Sequence, residues 1–241
     1  MQRQLWAVQR LFPFDPLYNT AWRFEIGTVD PERFERAIDV LAKSCDALRL
    51  LFDTHGDEPH ARVQSGLAGR HRTLHMTRAF ALADMEAAVR KPFDLGKSTI
   101  DSALYVLPAG GAIWFLNMHH IVNDGASGLV LFSRLADAYR ALSLDPLPSF
   151  AGYMAEFDTR IRDVDQSFWR AWQRKAPGLP RLYNRALSGT SSVACERRAT
   201  LTMGQMERLT ARAASKGFAS LSRDQTIFTL FETVLAAWVH R

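Results

Sequence analysis

From Asn19 to Gly27 the chain alternates, with Trp22, Phe24 and Ile26 on one side and Ala21, Arg23 and Glu25 on the other. That two-residue period predicts a strand. Asp30 and Pro31 then open a stretch in which Phe34, Ala37, Ile38, Leu41 and Ala42 recur with a helical period. Asp30 can cap the free amides there, and Pro31 suits the first turn. Leu48–Phe52 and Ala61–Gln64 read as strands joined by a turn at His55-Gly56-Asp57. Ala81–Lys91 reads as a helix stopped by Pro92. Asp101–Leu107 and Ala112–Met118 are stronger strands, and the Pro108-Ala109-Gly110-Gly111 between them signals a hairpin. The second of these is almost wholly apolar, which suits a central strand covered on both faces. It runs straight into His119-His120.

A helix is predicted from Gly125 to about Ser143, with Leu129, Phe132, Leu135 and Ala136 on one face. Phe150–Lys175 continues a long helical pattern, and residues 178–192 read as an irregular linker. A strand at Arg197–Met203 and helices at Gly204–Lys216 and Arg223–His240 follow. This order predicts an α/β class: a sandwich with a mixed sheet, then a second unit that looks incomplete, because its last helical pattern reaches Arg241 without a stop signal.

Length and composition narrow the picture. At 241 residues the chain lies between one and two domains on a prior of roughly 150 residues each. Its 47% hydrophobic and 23% charged residues are those of a globular protein with material for a sizeable core. No apolar run approaches the roughly 18 residues of a membrane span, and Met1–Leu11 lacks the apolar stretch of a secretory signal. Cys45 and Cys195 stand far apart in no metal-ligand spacing, so neither a metal nor a disulfide framework is expected. Cys45 reads as a small buried hydrophobe, and the cysteine usage suits a reducing cytoplasm.

The net charge of +5 is uneven. Residues 1–140 balance 16 basic against 16 acidic side chains, while residues 141–241 hold 14 against 9. Arg170, Arg174, Lys175, Arg181, Arg185, Arg197 and Arg198 carry much of the excess. They suit a solvated helix end and linker, or a landing surface for an acidic partner such as a carrier protein. No nucleic-acid-binding motif accompanies them.

Candidate chemistry lies in Met118-His119-His120-Ile121-Val122-Asn123-Asp124-Gly125-Ala126-Ser127. Two histidines end a buried strand, and Asp-Gly follows where a helix begins. Chance gives His-His-x-x-x-Asp-Gly roughly once in a few thousand chains of this length. One imidazole can take a proton from an amine or alcohol attacking a carbonyl. His120 is the candidate base. His119 falls on the opposite face and reads as structural. Ile121 and Val122 would keep the corner dry, Gly125 would admit close backbone, and free amides of the helix start would point into it. Asp124 in such a corner needs a cationic partner, for which Arg49, inside an apolar run, is the first candidate.

The motif resembles the signature of the condensation-domain superfamily, which includes the condensation domains of nonribosomal peptide synthetases and chloramphenicol acetyltransferase. Gln2-Arg3-Gln4-Leu5-Trp6 is similar to that family's opening Ala-Gln-x-Arg-Leu-Trp, and Tyr18-Asn19 follows it. Leu48-Arg49-x-x-Phe52 and Pro92-Phe93-Asp94-Leu95 are similar to its next two segments. His119-His120-x-x-x-Asp124-Gly125-x-Ser127 matches its core, and Tyr139 with Phe168-Trp169 fit later positions. Gln4, Cys45-Asp46, Asp101 and Ala126 depart from the pattern outside that core.

The resemblance implies a chloramphenicol acetyltransferase-like two-layer sandwich, with residues 1–175 as an N-terminal lobe and 176–241 as a linker and the beginning of a C-terminal lobe. The expected reaction joins a carrier-bound acyl thioester to the amine of a carrier-bound aminoacyl thioester in nonribosomal peptide biosynthesis. An O-acyltransferase of the same superfamily or a non-catalytic carrier-docking fragment are the alternatives. His120 is implied as general base or amine-positioning group, and Asp124 as structural and paired to an arginine. No cofactor is expected to bind directly; substrates would arrive on phosphopantetheine arms. The implied partners are donor and acceptor carrier domains and the remainder of the second lobe, with neither nucleic acid nor membrane.

Overall fold

The computed structural model describes residues 2–55, 58–159, 163–175, 199–215 and 222–239. The chain divides into two compact units, Met1–Arg174 and Lys175–Arg241.

The first unit opens with helix α1 (Gln2–Leu11), which buries Leu5, Trp6 and Gln9. Strand β1 (Asn19–Ile26) leads to α2 (Pro31–Ser44). Asp30 caps α2 as its sequence implies, its carboxylate accepting from the amides of Glu32 (2.9 Å) and Arg33 (3.2 Å). A single 3-10 turn (Asp46–Arg49) feeds β2 (Leu50–His55), which pairs antiparallel with β3 (Glu58–Val63) as a ribbon of its own. Strand β4 (Gly69–His75), α3 (Arg78–Val89), β5 (Ile100–Val106), β6 (Ala112–His119), α4 (Ser127–Ala141), α5 (Phe150–Thr159) and α6 (Asp163–Lys175) follow.

The main sheet has the order β1-β6-β5-β4 and is mixed: β4 and β5 run parallel and the other pairs antiparallel. Its central strand β6 is buried along its whole length. Trp114, Leu116 and Met118 enter one core with Phe34, Ile38 and Leu41 of α2 and Leu131 and Leu135 of α4. Ile113 and Phe115, on the alternate face, pack with Ala81, Met85 and Ala88 of α3. An apolar strand with no polar face follows from cover on both sides. Each such side chain contributes about 1.5–3 kcal/mol. Helices α2 and α4 with the sheet form the sandwich expected from the sequence.

Strand β4 is a difference from the sequence reading. Gly-Arg-His-Arg-Thr-Leu-His shows no apolar alternation, because an edge strand can face outward and satisfy its charges laterally. Arg70 and Arg72 pair with Asp101, and Arg72 also with Asp84. Gly69 begins the strand with φ +154°, and a Cβ there would lie 1.8 Å from the Ile100 carbonyl oxygen, so only glycine allows β4 to meet β5.

The helical pattern of Phe150–Lys175 resolves into α5 and α6 on either side of residues 160–162, which lie outside the described residues. Asp46 holds the start of α5: its carboxylate accepts from Phe150 N (2.8 Å), Ala151 N (3.1 Å) and Ser149 Oγ (2.7 Å). Helix α4 begins two residues later than Gly125, because the Asp124 side chain caps it.

In the second unit, α7 (Met203–Ser215) and α8 (Arg223–Val239) pack together and bury Ala213 and Thr226. Residues 199–202 form no strand, contrary to expectation. Thr202 and Gln205 cap each other reciprocally, Thr202 N donating to Gln205 Oε1 (2.7 Å) and Gln205 N to Thr202 Oγ1 (3.3 Å). This capping box draws Met203 into the first helical turn. The predicted linker at 178–192 lies outside the described residues. Among the described residues no helix is long and apolar enough to cross a membrane.

Candidate active site

Strand β6 delivers two imidazoles to one tight turn and gives them different surroundings. His119 is fully buried. Its Nδ1 accepts from the Ile121 amide at 3.1 Å, so the ring proton lies on Nε2, which donates to Gln9 Oε1 at 3.1 Å. Tyr18 and Phe93 meet the ring edge-on. Burial, reinforced by the neighbouring His120, pushes the His119 imidazole down to about 4. The ring is therefore neutral and has both nitrogens engaged inside the fold.

His120 is half-buried, and its ring is held in one orientation. Its Nδ1 lies 2.7 Å from the Asn123 carbonyl oxygen. A carbonyl only accepts, so Nδ1 carries the proton and the lone pair is left on Nε2. Nε2 has no protein partner among the described residues. The turn is fixed by His120 N to Tyr18 O (2.8 Å), Val122 N to His119 O (3.1 Å) and Asn123 Nδ2 to His119 O (2.8 Å). Ile121 and Val122 are buried beneath it, as expected.

Asp124 and Arg49, expected as a pair, are not brought together. Asp124 is exposed and serves the start of α4, its Oδ1 accepting from Ala126 N (3.1 Å), Ser127 N (3.0 Å) and Ser127 Oγ (2.7 Å). The Ser127 hydroxyl bond is the largest influence holding its carboxyl below the usual range; burial opposes it, and the amides of Ser127 and Ala126 with the nearby His120 add to the lowering. A carboxylate so supplied with donors needs no guanidinium. Arg49 sits in the 3-10 turn and donates from Nη1 to the Gln64 carbonyl at 3.2 Å.

The amides expected to face the reacting centre are therefore partly spent, since those of Ala126 and Ser127 go to Asp124. Gly125 is exposed, and a Cβ there would meet open space. Close approach falls instead on Gly128, where a Cβ would come within 2.3 Å of the Trp22 indole, so Gly128 lets α4 lie against β1. Gln2, Gln9, Asn123 and Gly128 were not singled out from the sequence for these roles. The only sequence signal for the first two is their seven-residue spacing, which puts them on the face of α1 that carries Leu5 and Trp6.

The family model described as Condensation domain matches residues 1–241. The chain belongs to that family. The condensation-domain family comprises acyltransferases of nonribosomal peptide synthesis, and the expected fold and family are both met. A dimodular nonribosomal peptide synthase of Bacillus subtilis is 29% identical over 202 residues, covering 77% of this chain and 8% of the synthase. Phosphinothricin tripeptide synthetase PhsC of Streptomyces viridochromogenes is 27% identical over 263 residues, covering 98% of this chain and 24% of the synthetase. Among solved structures, the starter condensation domain of rhizomide synthetase RzmA superposes with a TM-score of 0.62 at 26% identity. That match covers 72% of this condensation domain and 46% of the solved chain. The chain thus spans less than half of the solved domain and a small part of the curated synthetases.

Proposed function

We propose that this chain carries the catalytic histidine for amide formation between an acyl thioester on one carrier protein and the amine of an aminoacyl thioester on another. The observation that carries the reading is the Nδ1–H of His120 held on the Asn123 carbonyl, which leaves Nε2 as an oriented proton acceptor. The acceptor nitrogen attacks the thioester carbonyl and forms the C–N bond as Nε2 takes its proton. The tetrahedral adduct collapses with cleavage of the C–S bond, and the proton on Nε2 passes to the departing phosphopantetheine thiolate. The dry seat of Ile121 and Val122 strengthens the electrostatics of that transfer. Both pantetheine arms are substrates, brought by donor and acceptor carrier domains. The exposed Arg170 and Arg174 of α6 supply a cationic face for an acidic carrier; Arg181, Arg185, Arg197 and Arg198 lie outside the described residues.

The test is a single-turnover assay with the full-length synthetase, a loaded donor carrier and an aminoacyl acceptor. His120→Ala is expected to lower condensation by about 100-fold or more, the usual worth of a general base. Unchanged turnover in that variant would remove His120 from the chemistry. Product formed from a hydroxyacyl acceptor but not from an aminoacyl one would replace amide with ester formation.

A further inference from the structure

Helix α1 touches the histidine turn at two points, and both bracket His120. Gln2 Nε2 donates to the Ile121 carbonyl at 2.7 Å, across 119 residues of sequence. Gln9 Oε1 accepts from His119 Nε2 at 3.1 Å, across 110 residues. The seven-residue spacing puts both amides on one face of α1, with buried Leu5 and Trp6 between them. Gln9 is itself buried, and its Nε2 reaches the Asp15 carbonyl at 3.4 Å. That bond sets the amide so that its oxygen faces the imidazole.

We infer that Gln9, seconded by Gln2, is a positioning residue for His120 and acts through His119. The inference rests on the general-base reading of His120 for its kinetic consequence only. Its physical steps are local. The Gln9 oxygen requires the proton of His119 on Nε2. That tautomer leaves Nδ1 free to accept the Ile121 amide, which sets the backbone just after His120. The His119 carbonyl meanwhile accepts from both Val122 N and Asn123 Nδ2, which curls the turn so that the Asn123 carbonyl meets His120 Nδ1. Without the Gln9 acceptor, a buried His119 N–H has no partner. The ring then turns to seek a partner for that N–H, which draws Nδ1 off the Ile121 amide and loosens the turn. The Asn123 carbonyl moves off, and both tautomers of His120 become populated. Only the form with a free Nε2 can accept the amine proton.

Two variants and two readouts test this. Nitrogen-15 spectra of the histidine rings in this chain read the tautomers without any activity. The wild type is expected to show His120 with its proton on Nδ1 and His119 with its proton on Nε2. Gln9→Met keeps the side-chain bulk and removes the acceptor. It is expected to mix the tautomers of the His120 ring and to lower the condensation rate of the full-length synthetase roughly tenfold to a hundredfold, the scale of a misplaced catalytic group, with little change in KM for either loaded carrier. Gln9→Glu keeps the acceptor but adds a charge that favours protonated His119, whose titration in the unmodified chain is set by burial and by His120. It is expected to recover the wild-type rate at alkaline pH and to lose it on the acid side earlier than the wild type. A pH-independent loss shared equally by both variants would mark Gln9 as merely structural.

Should Gln9→Met not fold, Gln2→Ala removes the part-buried end of the clamp, and a smaller shift of the His120 signals in the same direction is expected. Wild-type tautomers in every folded variant overturn the inference. Mixed tautomers in Gln9→Met together with full activity in His120→Ala would instead sustain the clamp and remove the general-base reading.

Discussion

Among the described residues, burial pushes the imidazoles of His71 and His119 down to about 4, from an ordinary value near 6.5. His71 bonds Ser102 through Nδ1 and stacks on Phe34; for it, Asp39 partly offsets the burial and Arg72 adds to it. Unfolded, each ring takes a proton near pH 6.5; folded, it resists until about pH 4. The unfolded state therefore binds more protons inside that window, and the chain loses stability as pH falls through it, by up to about 3 kcal/mol per ring. Above pH 7 both rings are neutral in either state and contribute nothing. The urea midpoint is expected to hold steady from pH 8 to 7 and drop steeply from pH 6 to 5; a flat midpoint would show that both rings accept protons in the fold. The His119-His120 pair was legible in the sequence because its chemistry is local to one strand end. The expected Arg49–Asp124 pairing does not form, because Asp124 finds donors two and three residues away in its own helix start, and sequence spacing cannot rank a cap against a distant cation.

Among the elements, α5 depends on a side chain more than 100 residues upstream. Burial works against the charge on Asp46, but the hydrogen bonds from Phe150, Ser149 and Ala151 outweigh it and hold the carboxyl below its usual range. Asp46→Ala removes three partners at once and is expected to destabilise the first unit by about 1–2 kcal/mol, the worth of a helix cap. Hydrogen exchange should rise in α5 while the β5–β6 pairing stays protected. Equal loosening in both elements would mean that Asp46 supports the core and not the cap. The contrast with Asp30 is instructive. Asp30 caps the helix directly after it and was found from the Asp-Pro pair alone. Asp46 caps a helix far along the chain, so nothing near it in sequence announces the role. Strand β4 escaped for a related reason, since its arginines are balanced by Asp84 and Asp101 from other elements.

For the molecule as a whole, the α/β class and the β5–β6 hairpin followed from periodicity and turn glycines, whereas the place of β1 beside β6 did not. Pairing of Asn19 with His119 joins residues a hundred apart, and only the folded sheet shows it. The His120 amide donates to Tyr18 at the mouth of that pairing, and the His119 amide donates to Thr99. Both are expected to exchange with deuterium only when the first unit opens globally; exchange as quick as that of the hairpin loop at 108–111 would make the turn a local structure. The clamp by α1 carries this further, into synthesis. Contacts of such sequence separation are formed late, because long loops must close before they are rewarded. A growing chain thus carries Gln9 through 110 further residues before the His119 that it meets has been made and folded back onto that helix. The motif is spelled in ten adjacent residues, while the geometry it takes up belongs to the completed sheet.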